Sequence, residues 1–184
     1  MIFKMLQPDL SPFPTLITER LILRQPDITD DREVFLLRSD EQVNRYIDRP
    51  RAITVADVRQ FIDKINAGIA QNDRLYWVIC PADPKAGLPD RPVGTICLWN
   101  FSPEMEVAEI GYELLPEFQG KGIMQEAVAK IIEFSFLTLK LKSLEACADV
   151  GNGPSIKLLE KFNFVKTGLS ENNEIIYNLT LGTV

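Results

Sequence analysis

The chain has 184 residues, 46% hydrophobic and 25% charged, with a formal net charge of -6 and no histidine. That profile suits a single soluble domain over residues 1–184 and excludes a membrane span, since no run approaches the ~20 apolar residues a bilayer needs. The acidic balance argues against a nucleic-acid partner, and the missing histidines remove Ser-His and Cys-His catalysis and histidine-ligated metals. Any general base must then be a carboxylate, a tyrosine, a lysine or a relayed water. Residues 1–15 carry several prolines and no long apolar stretch. They read as a loose N-terminal arm and not a signal peptide, so the expected location is cytoplasmic. Cys80, Cys97 and Cys147 are odd in number and widely spaced. Buried, reduced thiols are expected in place of a disulfide framework or a zinc site.

Leu21 to Arg24 is a short apolar run before Pro26, so strand then turn. Asp30 to Arg38 mixes charges with Val34, Phe35 and Leu37 and predicts a short helix. Thr54 to Gln71 is a clearer helix: Thr54 and Asp57 form a capping pair, and Val58, Phe61, Ile62, Ile65 and Ile69 recur at helical spacing. Strands follow at 75–80, 92–101 and 106–115, with a proline-rich loop at 81–92. A long helix is predicted over 122–141, then a strand at 143–149, a helix at 154–162, and strands at 164–167 and 174–181. Three consecutive strands with short connections pair antiparallel, and the long helix crosses over to a parallel neighbour. The result is a mixed sheet with helices on both faces.

The segment PEFQGKGIMQEA, Pro116 to Ala127, sets two glycines between a strand and that helix. Glycine allows positive φ and close approach by another group, and the first N–H groups of a helix form an anion site. A phosphate or diphosphate fits, with Lys121 as an added point charge. The plain alternative is a helix N-terminus with glycines for turn geometry. The turn lacks the G-x-x-x-x-G-K-[ST] phosphate loop, and Gln125 spoils a G-x-G-x-x-G dinucleotide fingerprint, which disfavours a nucleotide-dependent enzyme.

AEIGYELLPEFQGKGIMQEA, followed downstream by NGPSIKLLEKFNF, resembles the GNAT acyltransferase superfamily. The opening TERLILRQPDITD is similar to its RimJ/RimL-type N-acetyltransferase branch. The likeness runs from Thr18 to Leu181. Gln119 and Gly122 match the Q/R-x-x-G-x-G/A signature, while Met124 replaces its last small residue; backbone N–H groups do the work there, so the side chain is tolerated. The resemblance implies an α/β (α+β) fold with a mostly antiparallel, twisted sheet of about six to seven strands. It implies acetyl-CoA as cofactor and an amine acceptor, either a protein N-terminus or a small molecule. Monomer and homodimer both remain open.

The same resemblance assigns roles. Residues Gln119, Gly120, Lys121, Gly122, Ile123 and Met124 grip the diphosphate. The main chain of Leu114 and Leu115, splayed from the strand at 144–149, holds the pantetheine arm, and Asn152 either bonds that arm or orders its own turn. Glu109 is the leading base for the amine, ahead of Glu113 and Tyr112, with a solvated strand carboxylate as the plain alternative. An N–H near Tyr112 to Leu114 is the expected oxyanion donor. Family members often carry a tyrosine seven residues after the asparagine to protonate the thiolate; here that position is Leu159. Ser155 takes that role in RimJ/RimL-like members, and otherwise only satisfies the helix start. Asn163 stands where the family usually has glycine, and asparagine tolerates the left-handed conformation there. The competing function is a catalytically inactive acyl-CoA-binding or sensor module.

Overall fold

The computed structural model describes residues 10–82 and 91–182. Most of the predicted arm and of the loop at 81–92 therefore lie outside the described residues. The described end of the arm is docked and not loose: Trp77 Nε1 donates to the Pro14 carbonyl at 2.7 Å, and the Phe13 and Trp77 rings stand 5.4 Å apart.

One sheet organises the chain. Its strands are β1 (Leu16–Ile17), β2 (Leu21–Arg24), β3 (Leu75–Pro81), β4 (Gly94–Trp99), β5 (Val107–Leu114), β6 (Ser143–Asp149), β7 (Val165–Leu169) and β8 (Glu174–Thr180). The spatial order is β1-β2-β3-β4-β5-β6-β8-β7, antiparallel throughout except for the parallel pair β5 and β6. The sheet thus has eight strands and not six or seven. The extra one, β1, is two residues long, too short to leave an alternating pattern in the sequence.

The helices are α1 (Asp31–Ser39), α2 (Val55–Ala70), α3 (Ile123–Glu133) and α4 (Gly153–Lys161). Alternation along β3 sorts them onto two faces. Val78 and Cys80 pack with Val34 of α1 and Val58 and Ile62 of α2, whereas Trp77 and Ile79 join the larger core with Ile123, Val128 and Ile131 of α3. α2 starts as the sequence predicts: the Asp57 N–H donates to Thr54 Oγ1 at 3.2 Å and the Thr54 N–H to Asp57 Oδ2 at 2.8 Å. In the TERLILRQPDITD segment, the Arg24 guanidinium bonds both oxygens of Asp30 at 2.8 and 2.7 Å.

The predicted helix over 122–141 is two pieces. α3 ends at Glu133, and a π-helical turn, Phe134–Thr138, follows. The Leu139 N–H reaches back five residues to the Phe134 carbonyl, and Lys140 at φ 59° turns the chain into β6. The wide turn keeps Phe134 and Phe136 in the core, with Phe134 edge-on to Trp77 at 5.8 Å. Asn163, after α4, has φ 62°, as its tolerance for the left-handed region predicts. All three cysteines are free; Cys80 is buried, Cys97 is half-buried and Cys147 is exposed. Cys147 lies between buried Ala146 and Ala148 on β6, so strand alternation turns it to the uncovered face.

Candidate active site

β5 and β6 pair for three residues, Val107 with Ser143, Ala108 with Leu144 and Glu109 with Glu145. Past Glu109, β5 continues to Leu114 against β4, and β6 continues to Asp149 against β8. The inner edges of the two strands therefore part into a wedge, where their main-chain groups no longer pair with each other. Buried backbone groups need partners, so such an edge suits a ligand carrying amides.

A cleft of about 410 Å³ lies at this wedge. It brings together Leu114, Gln119, Gly120, Gly122, Ile123, Met124, Asn152 and Ser155 of the sequence-predicted set. Leu115, Lys121 and Glu109 do not line it. Leu115 is buried, its N–H donating to the Val93 carbonyl at 3.0 Å. The Lys121 ammonium stands over the Phe118 ring at 5.4 Å.

The loop before α3 is shaped for an anion. A short 3₁₀ turn, Pro116–Phe118, redirects the chain after β5, and the Gln119 amide donates to the Leu114 carbonyl at 3.0 Å. Gln119 thereby ties the loop to the strand. Gly120 and Gly122 adopt φ 70° and 75°, which strains any residue with a Cβ. Gly122 is the N-cap of α3 and supplies no side-chain cap. The N–H groups of residues 122–125 precede the first intrahelical bond, made by Glu126 N–H to the Gly122 carbonyl at 3.0 Å. They carry the positive end of the helix dipole, about half an elementary charge.

The opposite wall is the start of α4. Asn152 caps it, Oδ1 accepting from the Ser155 N–H at 3.2 Å, with Pro154 in the first turn. The Ser155 hydroxyl meets the Tyr112 hydroxyl at 2.9 Å. Burial pushes the Tyr112 phenol up to about 12, with the Ser155 bond opposing it, so the phenol keeps its proton at neutral pH. Leu159, at the usual tyrosine position, is core at 1% exposure. The phenol at this cleft belongs to Tyr112 of β5. The signal was legible as parity, because Tyr112 shares a strand face with Leu114, but its pairing with Ser155 spans 43 residues and left no trace in the sequence.

The carboxylates on β5 alternate with Tyr112 and Leu114; Glu113 still borders the cleft, and Glu109 does not. Glu113 is 8% exposed and fully engaged, Oε1 accepting from Thr95 Oγ1 at 3.1 Å and Oε2 from Arg49 Nη2 at 2.5 Å. Arg49 also donates to Asn44 Oδ1 at 2.8 Å, which fixes the wall between α1 and α2 that carries Val43 and Tyr46 to the cleft. Glu109 stands beside Trp99 at the closed end of the wedge, with Asn100 Nδ2 at 3.5 Å. Burial pushes its carboxyl above the usual range; Asn100 opposes this, and Glu145 and Glu174 add to it.

Comparisons with known proteins agree with this geometry. Residues 20–165 match the family described as acetyltransferase (GNAT) domain. The chain is 34% identical over 160 residues to the uncharacterized N-acetyltransferase p20 of Bacillus licheniformis, covering 87% of each. The ribosomal-protein-S5-alanine acetyltransferase of Vibrio fischeri superposes with a TM-score of 0.73 at 22% identity, over 91% of this chain and 96% of its own. RimJ of Mycobacterium smegmatis, solved with CoA-disulfide, gives 0.74 at 20% identity over 87% and 81%. These two share the fold. The chain belongs to the GNAT family of N-acetyltransferases.

Proposed function

We propose that the protein transfers an acetyl group from acetyl-CoA to a primary amine, a protein N-terminus or a small amine, by direct attack. The observation that carries this is the uncapped N-terminus of α3 facing a wedge of unpaired strand edges. The residues present fit coenzyme A. Nothing lies within 4 Å of a Cβ built on Gly120, so that glycine answers to loop conformation and leaves its outer side open to a ligand. The solved RimJ with CoA-disulfide supports the same ligand class.

Acetyl-CoA supplies an activated thioester. The N–H groups of Gly122, Ile123, Met124 and Gln125 hold its diphosphate, and Gln119 sets the loop against Leu114. The main-chain edge of Tyr112 to Leu114 would hold the pantetheine amides and offer an N–H to the thioester carbonyl. Ser155, bonded to the protonated Tyr112, would pass a proton to the departing thiolate while taking one from the phenol, which solvent water then reprotonates. Glu109 takes up the proton of the attacking amine through water from the other face of β5. Glu113 holds no such role, because Arg49 and Thr95 occupy its oxygens.

The test is release of CoA thiol from acetyl-CoA against a panel of N-terminal peptides and polyamines. Thiol release that depends on an acceptor supports the reading, and E109Q should flatten its rise with pH. Tight CoA binding without thiol release for any acceptor favours a binding module.

A further inference from the structure

The turn between β1 and β2 lies about a hundred residues from the diphosphate loop in sequence, yet it grips that loop. Thr18 Oγ1 donates to Glu126 Oε1 at 2.6 Å, and the Arg20 N–H donates to the same oxygen at 2.9 Å. Arg20 Nε donates to Glu126 Oε2 at 2.6 Å. The same guanidinium donates through Nη1 to the Lys121 carbonyl at 3.2 Å, and its Nη2 lies 3.3 Å from where a Cβ on Gly122 would stand. One side chain thus bonds a first-turn carboxylate of α3 and the carbonyl before its N-cap, and lies beside the N-cap glycine.

This arrangement answers an electrostatic problem. Glu126 sits in the first turn of α3, where a carboxylate favours the helix dipole but opposes a second anion docking at the same end. Burial pushes its carboxyl up, but the bonds from Thr18 and Arg20 outweigh that and hold it below the usual range, so it stays charged. A charged Glu126 without Arg20 would repel a diphosphate at the loop. With Arg20 in place, the negative charge is matched and becomes the anchor that fixes the loop from behind.

We infer that Arg20 is a positioning residue for coenzyme A: it neutralises Glu126 and sets the Lys121–Gly122 backbone so that the free N–H groups of α3 face the diphosphate. This rests on the loop binding coenzyme A as proposed above. It also gives the TER portion of the N-terminal motif a task, since among the described residues Thr18 and Arg20 supply all three hydrogen bonds to the Glu126 carboxylate.

The experiment is calorimetric titration of the full chain with CoA and with 3′-dephospho-CoA, for wild type, Arg20→Ala, Glu126→Gln and the double variant, with a thermal melt of each. Arg20→Ala should weaken both ligands by the same factor, about tenfold. The double variant should recover affinity to within about threefold of wild type, because the unmatched charge has gone. A purely structural loss would not be rescued by removing Glu126's charge. Wild-type protein that ignores CoA would refute the parent reading. If wild type binds, three results overturn this inference alone: unchanged affinity in Arg20→Ala, a loss confined to CoA, or a double variant no tighter than Arg20→Ala. Should Arg20→Ala fail to fold, Arg20→Lys against Arg20→Lys/Glu126→Gln makes the same comparison, with the partial loss in the first again rescued in the second.

Discussion

Two helices begin at the same cleft, and their first turns are built in opposite ways. α4 closes its own start: Asn152 accepts from the Ser155 N–H and Pro154 removes a donor. α3 has a left-handed glycine at the same position and no side-chain cap. A closed helix start holds a side chain in place, here the Ser155 hydroxyl against Tyr112. An open start leaves N–H groups free for an anion. α2, remote from the cleft, is closed by Thr54 and Asp57; α1 also lacks a side-chain cap, but it continues from a 3₁₀ turn, Ile28–Asp30, that Asp27 caps, whereas α3 starts bare at a glycine.

The largest expected effect comes from making the two starts alike. Gly122→Asp sets a carboxylate among the free N–H groups and should cost about a hundredfold or more in CoA affinity by calorimetry, with the fold retained by circular dichroism. A variant binding CoA as wild type does would remove the loop from the diphosphate site. Next, Ser155→Ala keeps the α4 cap, because its bond uses the Ser155 backbone N–H. Turnover should fall about thirtyfold while CoA affinity stays within about twofold, a split that separates proton delivery from binding. Undiminished turnover would reduce Ser155 to a helix-start residue. Opening the closed start, Asn152→Ala, should lower unfolding free energy by about 1 kcal/mol in a urea titration.

The smallest effect sharpens the contrast from outside, since Glu109 belongs to neither helix end. Its folded pKa is raised, by burial first, so its favourable contribution is complete only at acid pH and is lost as pH rises through that raised value. Glu109→Gln should therefore melt slightly higher than wild type near neutral pH, and the difference should vanish in acid. CoA affinity should not change. A variant less stable than wild type at neutral pH would contradict the burial argument.

Local features were legible where the sequence carried its own signal. The Thr54–Asp57 cap and the helical spacing after it placed α2 to within a residue. The glycines of PEFQGKGIMQEA located the turn before α3, and alternation on β5 separated Glu109 and Glu113 from Tyr112 and Leu114. What stayed hidden depends on contacts made across the chain. The wide turn at 134–138 follows from fitting two phenylalanines into the core, which no spacing rule encodes. Glu113 stood behind Glu109 as a base candidate, but nothing in the sequence signalled that Arg49 and Thr95 would reach it from other elements. Arg20 carried no signal of its own within TERLILRQPDITD, because its partner lies 106 positions later.

The three-residue pairing of β5 with β6 also bears on how the protein behaves when empty. Unsatisfied strand edges ordinarily invite pairing with other molecules and seed aggregates. Here the two bare edges confront one another inside a single chain and meet at one end, so an intruding strand finds no room to run its length. The architecture can therefore keep sheet-like adhesiveness in reserve for a slender guest while withholding it from its neighbours in a crowded solution.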